Sequence, residues 1–293
     1  MHVLVAGGTG FVGGRVAEAL HGAGHQVDVM TRSPSGNRDD GITEVRGDIG
    51  DESSLDDPLR GVDMAYYFVH SLDRADFAEF DAAGARAFGA AAARAGVDRI
   101  VYLGGLGADD DDLSEHLRSR RDVEHILAEH VPTVALRAGI VVGQGSISWE
   151  LLCQLVEHLP VMITPKWVRT TTQPIAIDDM VAALVAAAGP DVPPGAYDVG
   201  APEALTYADM LRVVARHMDR RLLIVPVPLL SPGLSSLWLR LVTDVDLQTA
   251  RSLVDSMTND VVVTDRRLEV LTGLQPASFD YAVTSALAER NQR

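Results

Sequence analysis

Val3-Leu4-Val5-Ala6-Gly7-Gly8-Thr9-Gly10-Phe11-Val12-Gly13-Gly14 decides how the rest of the chain is read. Residues 3 to 6 are a short apolar run of the kind a buried parallel strand needs, and from Phe11 to Leu20 apolar residues return at helical spacing. Glycines sit between the two. Gly7 permits a tight turn, Gly10 lets the backbone approach a pyrophosphate, and Gly13 lets the helix lie close to the strand. The amides of the helix start, with Thr9, Phe11 and Val12 around them, then face an anion. Glycine spacing carries little by itself. Its place between a strand and a helix is the context that a dinucleotide-binding turn requires.

Outward from that stretch, strand-like and helix-like segments alternate, which predicts an α/β fold of the Rossmann type, a doubly wound parallel sheet. Further strands are expected at Gln26 to Met30, Thr43 to Arg46, Asp63 to Val69, Arg99 to Leu103 and Thr133 to Leu136. Ala75 to Ala95 reads as a helix stopped by Gly96, and Leu113 to Glu129 as the next. After Gly143 prolines become frequent and elements shorten. Strands are expected at Ile175 to Ile177 and Ala196 to Val199, and helices at Asp178 to Ala188, at Tyr207 to His217 with Thr206 as N-cap, and at Phe279 to Arg290. Leu222 to Leu241, apolar but broken by prolines, reads as buried core or pocket wall. The organisation expected is one unit. Residues 1–145 make a dinucleotide-binding core that also receives 171–200, and 146–170 with 201–293 make a smaller substrate lobe.

Composition narrows the classes of function. Cys153 is the only cysteine, which excludes an internal disulfide and a zinc site built on several thiolates, and suits a reducing, cytoplasmic setting. No apolar run approaches the ~20 residues of a membrane span. The net charge is −16, and such a surface repels nucleic-acid phosphate. Asp109 to Asp112 reads as a solvated loop ahead of a helix rather than a metal site, and no metal is expected.

The second strand ends in Val29-Met30-Thr31-Arg32, where a dinucleotide fold places the residue that chooses between a ribose hydroxyl and a 2′-phosphate. No acid stands there, and an arginine pairs with phosphate, so NADP(H) is expected in preference to NAD(H). Asp48 and Ile49, after the third strand, fall at the adenine end, where the aspartate either accepts from the adenine amino group or is a surface carboxylate.

Together these motifs resemble the extended and atypical short-chain dehydrogenase/reductase superfamily, along most of the chain. The wording Gly7-Gly8-Thr9-Gly10-Phe11-Val12-Gly13 and Gly47-Asp48-Ile49-Gly50-Asp51 is similar to the family's first and third strand turns. Leu136-Arg137-Ala138-Gly139-Ile140-Val141-Val142-Gly143 resembles the turn beside the nicotinamide, and Gln173-Pro174-Ile175-Ala176-Ile177-Asp178-Asp179 the strand before an aspartate-led helix. Within the superfamily, Tyr66-Tyr67-Phe68-Val69-His70-Ser71 looks like the branch of NmrA-like proteins and the accessory NADPH-binding subunit of respiratory complex I. The resemblance implies cofactor contacts at Val69, His70, Gly104 and Ala138 to Val141.

The departure lies in the chemistry. The family uses Tyr-x-x-x-Lys, and the single lysine here is Lys166, with Met162 four residues before it. In the expected helix His116 stands in the tyrosine place and Arg120 in the lysine place, with Gly104-Gly105 where a serine is expected. Arg120 can offer charge to ribose but cannot trade a proton. His116 can act as a base, biased toward neutral by Arg120, or it is a polar helix residue. His70 is either a proton donor or a packing group against the nicotinamide. Lys166 and Arg169 either meet an anionic or carbonyl substrate or form a surface turn. The sequence therefore points to an NADP(H)-dependent oxidoreductase acting on an apolar carbonyl or enone-like small molecule. A non-catalytic NADPH-binding regulator or assembly subunit is the second reading, and a nucleotide-sugar epimerase or dehydratase is a weaker third. The partners expected are that substrate, and a second copy of the chain as a homodimer or another protein in a complex.

Overall fold

The computed structural model describes residues 1–34, 41–71, 74–107, 113–164, 166–226 and 253–291. Strands β1 (His2–Ala6), β2 (Gln26–Thr31), β3 (Thr43–Arg46), β4 (Met64–Tyr67), β5 (Arg99–Gly105), β6 (Thr133–Ala138) and β11 (Gly195–Val199) form one seven-stranded sheet. Its order is β11-β6-β5-β4-β1-β2-β3, and every pairing is parallel. The order turns back between β1 and β4, and in such sheets the crevice beyond the strand ends at that point takes the ligand.

Both sheet faces are buried, which is why β1, β4 and β5 read as continuous apolar runs rather than alternating ones. One face packs Val3, Val5 and Tyr66 against α1 (Phe11–Gly22) and α6 (Ile177–Ala187). The other packs Leu4, Tyr67 and Tyr102 against α2 (Asp56–Leu59), α3 (Phe77–Ala95) and α4 (Glu115–His130). Each large apolar side chain so enclosed contributes about 1.5–3 kcal/mol. A third core, around Trp149, Tyr207, Met210 and Phe279, joins α5 (Ile147–His158), α7 (Tyr207–His217) and α9 (Phe279–Arg290). Between α7 and α9 lies the short α8 (Arg267–Thr272), beside the outer strand β11. Short ribbons complete the C-terminal part: β7 (Val141–Val142) with β10 (Ile175–Ala176), β9 (Thr171–Thr172) with β12 (Leu205–Thr206), and β8 (Val161–Thr164) with β13 (Leu223–Pro226).

Several expected boundaries move for identifiable reasons. β4 ends at Tyr67 rather than Val69. The Phe68 amide still donates to Ala6 O at 2.9 Å, but the Phe68 backbone then lies against Gly7, where a Cβ would come within 2.9 Å of its carbonyl carbon. α4 starts at Glu115 because Ser114 caps it, its hydroxyl accepting from the Leu117 amide. α3 stops at Gly96 in the left-handed region at φ 78°, as the sequence predicts. Helix α5 was not anticipated; Ser146 caps it, and the prolines that suggested a broken chain begin only at Pro160. The reading of 222–241 as buried wall is corrected where it is described. β13 pairs with β8 and leaves Leu223 and Val225 exposed, with Ile224 turned to the core. Residues 227–241 and 108–112, the latter holding the acidic run, lie outside the described residues. Among the described residues no helix is long and apolar enough to cross a membrane.

Candidate functional site

A cleft of about 440 Å³ opens at the carboxyl ends of β1, β4, β5 and β6. Its floor is the glycine turn. Gly7 has φ +81°, and a Cβ on Gly13 would stand 2.3 Å from Gly7 O, so only glycine lets α1 start this close to the strand. No side chain caps α1, and the amides of its first turn have no partner within the helix. Phe11, Val12 and Gly13 line the cleft at that turn, an arrangement of helix-start amides that can take an anion. Gly7, Gly10 and the backbone from Ala138 to Val141 line it as well.

One wall is built from β5 and α4. A Cβ on Gly105 would meet Leu117 Cδ2 at 2.7 Å, so Gly105 allows the helix to close on the strand. Arg120 is pinned there. Its Nη2 donates to Leu103 O at 2.5 Å, its guanidinium lies 5.5 Å over the Tyr102 ring, and the Tyr102 hydroxyl donates to Arg120 O at 3.0 Å. Further along the helix the buried Glu124 accepts two bonds from Arg137 on β6, at 2.6 and 3.0 Å, which fixes α4 against the sheet. His116, one turn before Arg120, is half-buried on the cleft wall, and its Nδ1 is buried without a hydrogen-bond partner.

His70 enters from the loop after β4. That loop is held by the Ser71 amide, which donates to the buried Asp81 at 3.3 Å. Desolvation first, then Arg120, lowers the His116 pKa to about 3. Desolvation, Arg120 and His116 lower that of His70 as well. His70 is exposed at the cleft and His116 half-buried, and both shifts run toward an imidazole that is neutral at pH 7.

Leu106 and Leu117 make the β5–α4 wall apolar, and the far wall is apolar as well: Ile147, Leu253, Met257 and Val261, with Ser148, Ser256, Thr172 and Tyr207 as its polar members. Other sequence candidates fall outside this enclosed space. Thr9 is exposed at the tip of the glycine turn, Thr31 is half-buried and Arg32 exposed at the end of β2. Asp48 Oδ1 accepts from the Gly50 amide at 2.9 Å, and Ile49 is buried where Gly84 gives it room. Val69 packs against the sheet core. Lys166 and Arg169 lie on a 3-10 turn, with Arg169 exposed and outside the cleft lining.

A family described as NAD(P)H-binding matches residues 7–135. The (4-alkanoyl-5-oxo-2,5-dihydrofuran-3-yl)methyl phosphate reductase of Streptomyces griseus is 30% identical over 230 residues, 75% of this chain and 75% of that protein. The chain belongs to the extended and atypical short-chain dehydrogenase/reductase superfamily. At that level it is an oxidoreductase of the NAD(P)H-binding type. The 2-alkyl-3-oxoalkanoate reductase of Stenotrophomonas maltophilia is 28% identical over 187 residues, 54% of this chain and 56% of that one. The Bordetella bronchiseptica enzyme WbmG, solved in complex with NAD, shares the fold at a TM-score of 0.74 and 19% identity, covering 100% of this chain and 94% of that one.

Within the superfamily's sheet, the structure brings His70, His116, Arg120, Gly104 and Ala138–Val141 around one space with the glycine turn. Sequence reasoning did not find the far wall. Ser146-Ile147-Ser148 carries a helix-start signal that would have placed Ile147 and Ser148 beside Gly145. Leu253, Met257 and Val261 carry no signal that separates a cleft wall from a core.

Proposed function

We propose that the protein is an NADP(H)-dependent reductase passing hydride between the nicotinamide and a small carbonyl or enone-like substrate with an apolar body. The observation that carries this reading is the single cleft joining the glycine cradle to His70, His116 and Arg120 and then to an apolar wall. The first-turn amides of α1 would hold the pyrophosphate, Arg120 the ribose beside the nicotinamide, and the backbone from Ala138 to Val141 the ring's edge. Bound there, the dinucleotide supplies a hydride to an electrophilic carbon.

The chain's own part is to position and to hold charge. Arg120 keeps a fixed positive charge next to the oxygen on which negative charge grows, and in a partly desolvated cleft that charge counts for more than in water. A neutral His70 or His116 offers one N–H to the same oxygen and can pass on a proton taken from water. The apolar wall orients the substrate body and excludes water. The far wall has no lysine or arginine among the described residues, which counts against a nucleoside diphosphate sugar.

Reduced-nicotinamide fluorescence during titration with NADPH and NADH, followed by ketones, enones and quinones added to the saturated complex, tests the reading. Oxidation of the bound cofactor by one of these supports it. Tight binding without oxidation by any of them favours the alternative, a non-catalytic NADPH-binding regulator or assembly subunit, for which Gly104-Gly105 and the missing tyrosine argue. Steady turnover after loss of both histidines would remove them from the proton path. The same reading takes the protein as cytoplasmic and as working through self-association or a protein partner, by analogy with the family.

A further inference from the structure

The preference for NADP(H) proposed above rests on Arg32 alone. The sheet register brings a second cation to the same edge. β2 and β3 run parallel, and Thr31 pairs with Arg46 at the last residue of each strand. Paired residues of a parallel ladder point to the same face, and neighbouring strands lie about 4.8 Å apart. The ladder continues to the ends, since the Gly47 amide donates to Thr31 O at 3.0 Å. Beyond Thr31 the chain curls, with the Ser33 amide donating to Thr31 Oγ1 at 3.4 Å, and Arg32 sits on that curl. Arg46 therefore stands one strand over from the residue before Arg32, at the carboxyl edge of the sheet where the adenosine half of a dinucleotide lies.

Both arginines are exposed, and neither takes a carboxylate or carbonyl partner among the described residues. Arg60, Arg74, Arg94 and Arg267, also exposed, are paired with Asp57, Asp76, Asp56 and Asp265, whereas Arg32 and Arg46 stand together at one edge of the sheet. β3 is the edge strand of the sheet, so no further strand covers Arg46 from outside. Asp48, the next acid along, turns its Oδ1 to the Gly50 amide.

We propose that Arg46 is the second cation of a 2′-phosphate clamp, acting with Arg32 to set the choice between the phosphorylated and unphosphorylated dinucleotide. The inference rests on the NADP(H) reading, and its test separates the two. Two guanidinium groups approaching one dianion from adjacent strands give both affinity and position, because each pairs with phosphate oxygens through a planar fork.

The experiment measures dissociation constants of NADPH, NADH, 2′,5′-ADP and 5′-AMP by fluorescence and calorimetry for the wild type, Arg46→Gln, Arg32→Gln and Arg46→Lys. Expected for Arg46→Gln is weakening of about tenfold or more for NADPH and 2′,5′-ADP, with NADH and 5′-AMP unchanged. Arg46→Lys recovers part of the loss. Unchanged NADH binding reports that the variants are folded. A wild type that prefers NADPH, with the preference lost in Arg32→Gln and untouched in Arg46→Gln, overturns the inference and leaves the cofactor reading standing. A wild type that binds NADH as tightly as NADPH overturns both.

Discussion

At the scale of the residue, the site is an electrostatic arrangement more than an acid–base one. Where the superfamily's pattern has a tunable tyrosine and a lysine, this chain has His116 and a guanidinium anchored at Leu103 O and Tyr102. Replacing Arg120 with Ala should weaken reduced-cofactor binding by about tenfold or more, the worth of a hydrogen bond to a charged group, and fluorescence titration reads this directly. The histidines make a pH prediction with a definite sign. A His116 pKa lowered to about 3 in the folded state means that the unfolded chain binds the proton first. The stability linked to it is present above about pH 6.5 and is lost as pH falls toward 3. Urea denaturation across that window should show a shallower loss in His116→Gln than in the wild type. If the two slopes match, His116 is not held neutral by its surroundings. Turnover, by the same reasoning, should show no histidine inflection between about pH 6 and 8.

At the scale of the element, the glycine turn and α4 carry the site. Gly13→Ala places a Cβ where Gly7 O already stands, so α1 must shift. Overpacking of this kind costs about 1–3 kcal/mol, and the variant should lose cofactor binding along with thermal stability. Glu124→Ala leaves Arg137 without its two-bond carboxylate at the base of α4. The loss, about 3–5 kcal/mol for one side of a buried pair, should appear in chemical denaturation.

Much of this scale was legible beforehand. A strand run of Val3 to Ala6, a helix face at Val16, Ala17 and Leu20, and a glycine stop at Gly96 each follow from local chemistry that tertiary contacts did not override. What was not legible depends on approach between distant segments. Phe68, expected within β4, instead passes close to Gly7 beyond the strand end, and Ile49 is buried because Gly84 opens a space for it. The pairing of Thr31 with Arg46 exists only once the sheet register is set. Met257 and Leu253 are members of the C-terminal core, and they form a cleft wall only through its packing with Trp149 and Tyr207, far off in sequence.

At the scale of the whole molecule, the sheet supplies the glycine turn, and the C-terminal core supplies the opposite wall of the cleft. Arg15 on α1 donates to Glu289 on α9 at 2.7 Å and to Gln144 O at 3.1 Å, so the last helix is tied to the one that opens on the pyrophosphate cradle. Cofactor binding should therefore stabilise the whole chain in one transition. At a free concentration one hundred times its dissociation constant a ligand adds about 2.7 kcal/mol, visible as a rise in melting temperature. The measurement that tests the central claim most directly is stopped-flow absorbance of the NADPH-saturated protein mixed with a long-chain enone or 3-oxo ester. The account predicts loss of the reduced-nicotinamide band at a rate that saturates with substrate and falls strongly in the His70→Ala, His116→Ala double variant. A band that persists with every such substrate, in a protein that binds NADPH tightly, would contradict it.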